Sequence, residues 1–156
     1  AQQTGFSREE GTKFIESYFN KYPGISEYIE SVKIKTRETQ FVETVMGRRR
    51  YLPDINSSNF NVRGGAERMA VNMPIQGTAA DMIKKAMIDV AGALARVDTG
   101  ARLLLQVHDE LLFEVPAGEE DALAEVVVAC MEGAMELRVP LVVEGSVGES
   151  WYETKG

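Results

Sequence analysis

Two apolar runs that close on a short polar centre constrain this chain more than any other feature. Arg102-Leu103-Leu104-Leu105-Gln106-Val107 leads in, His108-Asp109-Glu110 forms the centre, and Leu111-Leu112-Phe113-Glu114-Val115 leads out. Asp and Glu are depleted in strand interiors, whereas the Leu, Val and Phe around them suit a buried strand. The stretch therefore reads as a β-hairpin with both acids at or beside its turn. An ionised carboxylate cannot stay in an apolar interior without a partner, so a metal ion or solvent is expected to meet Asp109. His108 is the only histidine of the chain. On spacing alone two acids and a histidine are poor evidence of a site, and an ordinary hairpin with a solvated acidic tip is the weightier alternative.

The 156 residues suffice for one domain with a real core, or for pieces of two. Hydrophobic content of 44% and charged content of 26% are those of a soluble globular protein. No run approaches the roughly 18 apolar residues of a membrane span, and no signal-peptide pattern is present. Cys130 lies in the apolar run Val126–Met131 and reads as a core thiol. A single cysteine excludes disulfide scaffolds and cysteine-based metal sites and suits a cytoplasmic setting. The net charge of −7 is unevenly spread. Residues 1–75 hold 11 Lys and Arg against 9 acids, a net of +2, and residues 76–156 hold 6 against 15, a net of −9. Such asymmetry permits a polyanion on one side and a divalent cation on the other, without demanding either.

Ala1-Gln2-Gln3 looks like a cut inside a larger protein. Ser7 with Glu10 three residues on makes a capping box, and the helix after it should bury Phe14, Ile15, Tyr18, Phe19 and Tyr22 until Pro23-Gly24 stops it. A second helix is expected over 25–38, with Tyr28, Ile29 and Val32 inward. Phe41–Val45 and Tyr51-Leu52 read as short strands joined through Met46-Gly47-Arg48. The run Arg48-Arg49-Arg50 at that turn is either a solvated loop or a phosphate contact suited to the forked guanidinium. Asn56–Asn59 can cap a helix from about Phe60. On it Arg68, Asn72 and Gln76 are spaced i, i+4, i+8 and share one face. These side chains hydrogen-bond base edges and backbone, or form a plain polar stripe. Pro74 should kink or break this helix, and Thr78 with Asp81 should cap a new one with Ile83, Met87, Val90 and Leu94 inward. Asp98-Thr99-Gly100 leads into the hairpin. A helix over 119–137, a last strand over 141–147 and an anchoring Gly148-Glu149-Ser150-Trp151-Tyr152 complete the chain. The fold class is α+β, with a small antiparallel sheet backed by helices.

Three segments, in this order and at these separations, resemble the C-terminal part of the bacterial DNA polymerase I family, family A. They are Val42–Asp54, Ala66–Asp81 and Gln106-Val107-His108-Asp109-Glu110. Tyr22-Pro23-Gly24 and the closing Gly148-Glu149-Ser150-Trp151 extend the resemblance over essentially the whole chain, which outweighs the plain-hairpin alternative. It implies a right-hand fold in which residues 1–71 are the later part of the fingers and 72–156 the C-terminal part of the palm. It further implies a DNA-directed DNA polymerase, which adds dNMP to a primer 3′-hydroxyl by two-metal-ion nucleotidyl transfer in replication or repair.

By that resemblance Asp109 and Glu110 are catalytic metal-binding carboxylates, and His108 contacts the primer terminus. Arg68, Asn72 and Gln76 lie near the template and nascent pair, and Arg50 and Arg63 near DNA backbone. The expected cofactor is Mg²⁺, and the expected partners are primer–template DNA, dNTP and the N-terminal polymerase polypeptide with thumb, early palm and early fingers. Nothing in the sequence matches the family's motif A aspartate, which bridges both metals, or the fingers helix that grips the triphosphate. The chain alone is therefore expected not to polymerise, as a split subunit, a proteolytic or engineered piece, or a segment of a longer protein. A non-catalytic DNA-binding module reusing the fold is the alternative. A metal-dependent phosphodiesterase using Asp109 and Glu110 lacks the further acids such a site needs.

Overall fold

A computed structural model describes residues 7–97 and 99–155. Asp98, expected to lead into the hairpin, lies outside the described residues. Two compact units, Ala1–Gly77 and Thr78–Gly156, divide the chain. One helix crosses the division, and each unit has its own small core.

In the first unit, α1 (Arg8–Lys21) opens with the expected capping box. Ser7 Oγ accepts from the Glu10 N–H, and the Glu10 side chain accepts from the Ser7 N–H. The expected burial of its aromatic face fails: α1 has no buried residue, and Phe14 is 62% exposed. Ile15, Tyr18 and Tyr22 are exposed as well and Phe19 is half-buried, and the Tyr18 ring packs against those of Phe19 and Tyr22. α2 (Pro23–Thr39) starts on proline, which suits a first helical turn because its missing N–H would have no helical partner there. Its buried residue is Thr36, while Tyr28, Ile29 and Val32 are half-buried. β1 (Phe41–Glu43) and β2 (Arg49–Tyr51) pair antiparallel with Val42 opposite Arg50. Gly47 turns the chain between them at φ 79°, a conformation glycine adopts without a Cβ penalty. A single 3-10 turn, Pro53–Asn56, follows.

α3 (Phe60–Leu94) is one helix of 35 residues, continuous through Pro74. The expected break there, and the expected cap of a new helix at Thr78 and Asp81, are both overturned. Proline removes one helical hydrogen bond, at a cost of about 3 kcal/mol. Burial of Ala66, Ala70 and Met73 before it and Ala86 and Val90 after it favours continuity on both sides. Asn59 caps the start, its side-chain oxygen accepting from the N–H groups of Asn61 and Val62. The first unit's core gathers Val42, Leu52, Ile55, Ala66, Ala70 and Met73.

In the second unit, β3 (Arg102–Val107) and β4 (Glu110–Glu114) form the expected hairpin. A register irregularity between Leu103 and Leu105 inserts one residue and interrupts strict alternation, so Leu104 and Leu105 are both exposed. α4 (Glu120–Glu132) ends at Gly133, short of the expected Leu137, because glycine is a poor helix interior. Val90, Leu123 and Val127 are the buried centre, with Leu94, Phe113 and Cys130 half-buried against it. Cys130 is thus at the core's edge. Leu141–Val147 is not a strand: β3 and β4 pair only with each other, and a strand needs a ladder partner. The segment takes a different hold, the Val143 N–H donating to Glu132 Oε1 at 3.1 Å. Of the segment expected to anchor the end, Tyr152 is 91% exposed and takes no part, while the Trp151 carbonyl accepts from Thr154 Oγ1 at 2.8 Å and a last 3-10 turn spans Glu153–Lys155.

A basic hairpin on a polar helix, and an acidic turn

Each unit presents one group of the residues singled out from the sequence. In the first, α3 turns Arg68, Asn72 and Gln76 outward, all exposed. The adjoining stripe of the same helix, Met69, Met73 and Gly77, meets the β1–β2 hairpin. Arg50 Nη2 donates to Met69 Sδ at 3.3 Å, and Arg48 Nη2 donates to the Gly77 carbonyl at 2.9 Å. Residues one apart on a helix are turned by about 100°, so the arginine-bearing strand lies along the stripe beside the polar one. Arg49 is engaged locally. Its Nε donates to Glu43, which holds the guanidinium above its ordinary range, and the group sits 4.5 Å from the Phe41 ring centre.

A cleft of about 500 Å³ opens beside Arg68 and Asn72, lined also by Lys33, Phe60, Asn61 and Ile29. Glu67 lines it too, but its carboxylate accepts from Arg37 at 2.7 Å. That pairing removes part of the negative potential from beside Arg68. Arg63 is half-buried and holds the loop before α3, Nη1 donating to the Ser57 carbonyl at 2.8 Å. Tyr28 donates its hydroxyl to the Val71 carbonyl at 3.3 Å, and burial raises its pKa above the ordinary phenol value.

In the second unit the β3–β4 ladder closes on Val107 opposite Glu110, leaving His108 and Asp109 as a two-residue turn. His108 has φ 55°, the left-handed conformation that the tightest hairpin turns require at their first central residue. The Gln106 side-chain amide donates to the His108 carbonyl, tying β3 to the turn it leads into. His108, Asp109 and Glu110 are all exposed. Asp109 therefore meets solvent, as the hairpin reading requires. Two adjacent carboxylates supply hard oxygen donors for a divalent cation of the Mg²⁺ type, which keeps several waters and needs only one or two of them. Among the described residues no group of three or more His, Cys, Asp or Glu stands together to complete a metal site. The donor chemistry fits a partial site.

Sequence reasoning missed Arg48, Gly77 and Gln106 as structural partners of these groups. A glycine inside a strongly helical pattern is a signal that could have found one of them, since such a residue often marks close approach.

Residues 1–153 match the family described as DNA polymerase family A. DNA polymerase I of Bacillus caldotenax is 52% identical over 155 residues, and that of Lactococcus lactis subsp. lactis (strain IL1403) is 50% identical over 155 residues. In both cases 99% of this chain is covered, and it spans only 18% of the relative's length. A solved structure titled as the POL domain of Pol1 from M. smegmatis, in complex with DNA primer-template and dNTP, matches with a TM-score of 0.96 and 47% identity. That match covers 100% of this chain and 28% of the other. A family match across nearly every residue, with the α+β architecture found here, leaves one conclusion: the chain belongs to DNA polymerase family A.

Proposed function

We propose that this chain is the C-terminal catalytic segment of a DNA-directed DNA polymerase, its first part from the fingers and its remainder from the palm. The presentation of Asp109 on an exposed two-residue turn, with Glu110 beside it at the start of β4, in a family A chain, carries the reading. Asp109 and Glu110 would hold Mg²⁺, in a two-metal site completed by an aspartate outside this sequence. When bound, the ion polarises a phosphoryl oxygen and favours the ionised form of an attacking hydroxyl. His108, beside them on the turn, is suited to hydrogen-bond the primer terminus and hold its 3′ end at the carboxylates. Arg68, Asn72 and Gln76 contact the template and nascent pair with guanidinium and amide donors. Arg50 neutralises backbone phosphate beside them, and Arg63 does so from the start of α3. Base pairing between template and dNTP then supplies most of the selectivity. The M. smegmatis relative bound to primer-template and dNTP supports these partners. No described helix is long and apolar enough to cross a membrane.

The test is complementation. The chain is mixed with the N-terminal part of a relative's polymerase, carrying thumb, early palm and motif A, then given primed template, Mg²⁺ and dNTPs. The mixture should extend the primer and the chain alone should not. Steady extension by the chain alone would overturn the two-part reading. DNA binding without extension in a properly assembled mixture would favour a non-catalytic DNA-binding module.

A further inference from the structure

The first hairpin is seated on α3 by a close approach at Gly77. A Cβ added at Gly77 would lie 2.6 Å from Thr44 Cγ2, 3.4 Å from Met73 Cε and 3.5 Å from Arg48 Nη2. Thr44 is only 5% exposed, and its β-branched side chain has little rotameric freedom to yield. Its other branch is also committed: Thr44 Oγ1 accepts from the Arg48 N–H at 3.1 Å, and the Thr44 N–H donates to the Arg48 carbonyl at 3.0 Å. Arg48 then reaches over the glycine to donate to its carbonyl. Eight residues earlier on the helix, about 12 Å along its axis, Arg50 meets Met69. The hairpin is thus fixed to α3 at both ends of its contact.

We propose that this Thr44–Arg48–Gly77 clasp is a positioning device for DNA binding, with Arg48 and Gly77 as positioning residues. It fixes the register between the Arg50 strand and the stripe of Arg68, Asn72 and Gln76, so that one phosphate path meets both. Gly77 directly follows Gln76, so a shift of the hairpin at Gly77 is felt at that amide first. The proposal rests on the DNA-binding reading above. Its own content is that Thr44 and Gly77, both buried and unable to touch DNA, set the affinity for it.

The experiment measures binding of a fluorescent primer–template duplex to the full 156-residue chain, across a salt series, with helix content followed by circular dichroism. Gly77→Ala should weaken binding roughly tenfold with helix content retained, as expected when an arginine contact is misplaced. Helix propensity alone predicts the opposite, since alanine stabilises a helix interior relative to glycine. Thr44→Ser combined with Gly77→Ala removes the clashing methyl and keeps the hydroxyl, and it should restore binding to near the starting value. Arg48→Met should weaken binding to a similar extent. Gly77→Ala binding as tightly as the parent, or failing to recover with Thr44→Ser, overturns the clasp. The control is Arg68→Ala. If the unaltered chain shows no salt-dependent binding at all, the DNA-binding reading falls and the clasp with it. If the chain binds, Arg68→Ala weakens it and Gly77→Ala does not, the clasp alone falls.

Discussion

The two hairpins of this chain are held in place by different means. β1–β2 has only three residues in each strand, too few for an independent ladder, and an exposed face throughout β2. It is fixed from outside itself, by Val42 in the first unit's core and by arginines reaching to α3. β3–β4 is longer, with no fully buried residue in either strand, and its tip is shaped by its own backbone and by Gln106. Where a hairpin presents long cationic side chains, tertiary contacts must aim them. Where it presents Asp109 at its tip, with Glu110 at the start of the returning strand, the turn and the ladder beside it decide where the carboxylates point.

The largest effect should come from setting the two presentations against each other in the complemented polymerase. Asp109→Asn keeps the size and most hydrogen bonding of the side chain but removes the charge a cation needs. It should lower extension on the order of a thousandfold, several kcal/mol of lost charge stabilisation, with primer–template binding nearly unchanged. Arg68→Ala should do the reverse in kind. Binding weakens by about 1–3 kcal/mol, with a shallower salt dependence if the contact is to phosphate. Pre-steady-state extension and fluorescence titration read the two quantities separately. If both substitutions fall on the same quantity, the division between a binding face on α3 and a reacting turn is broken.

The next comparison is between the turns. His108 at φ 55° carries a Cβ in the left-handed region, while Gly47 at φ 79° carries none. His108→Gly should relieve that strain and stabilise the chain by up to about 1 kcal/mol, less the extra freedom glycine gains when unfolded. Gly47→Ala should destabilise it by about 1 kcal/mol. Thermal unfolding checks both. A lowered midpoint for His108→Gly would mean that side-chain contacts, and not local backbone geometry, govern the acidic turn.

That contrast also explains what the sequence disclosed. The β3–β4 hairpin and the place of Asp109 were legible because both causes are local: apolar strand formers on either side, and acids where a strand interior would exclude them. The capping box of Ser7 and Glu10 and the cap at Asn59 were legible for the same reason. The passage of α3 through Pro74 was not, because the burial that favours continuity comes from residues distant in sequence. The strand expected over 141–147 has the apolar strand formers but no ladder partner among the described residues, and pattern cannot reveal whether a neighbour is there. The apolar face of α1 misled in the same way, since periodicity shows which side is apolar but not whether anything covers it. Of the candidate site, the exposed stripe on α3 followed from spacing. The contact from Arg48 to Gly77, across 29 residues, leaves no periodicity to read.

The smallest expected effect concerns α1, the part of the first unit with least tertiary support, where local hydrogen bonds should matter most. Bonds from the Ser7 side chain and then the Ser7 N–H hold the Glu10 carboxyl below its ordinary value of 4.5. Glu9 and Glu10 also stand in the first turn, where the helix dipole favours negative charge. Because the folded value is the lower one, the contribution of Glu10 is complete above 4.5 and is lost as the pH falls through that folded value. Glu30 on α2 shifts in the same direction through Lys33, so acidification of the parent chain reports both groups together. Glu10→Gln separates them, because glutamine at the third helical position still accepts the Ser7 N–H and completes the capping box without a titrating proton. Far-UV circular dichroism from neutral pH into the acid range should show a slightly greater loss of helix in the parent than in Glu10→Gln, with the difference confined to pH below 4.5. Identical acid profiles would show that the charge of Glu10 adds nothing to the capping box of α1, which a protonated glutamate then completes as well as glutamine does.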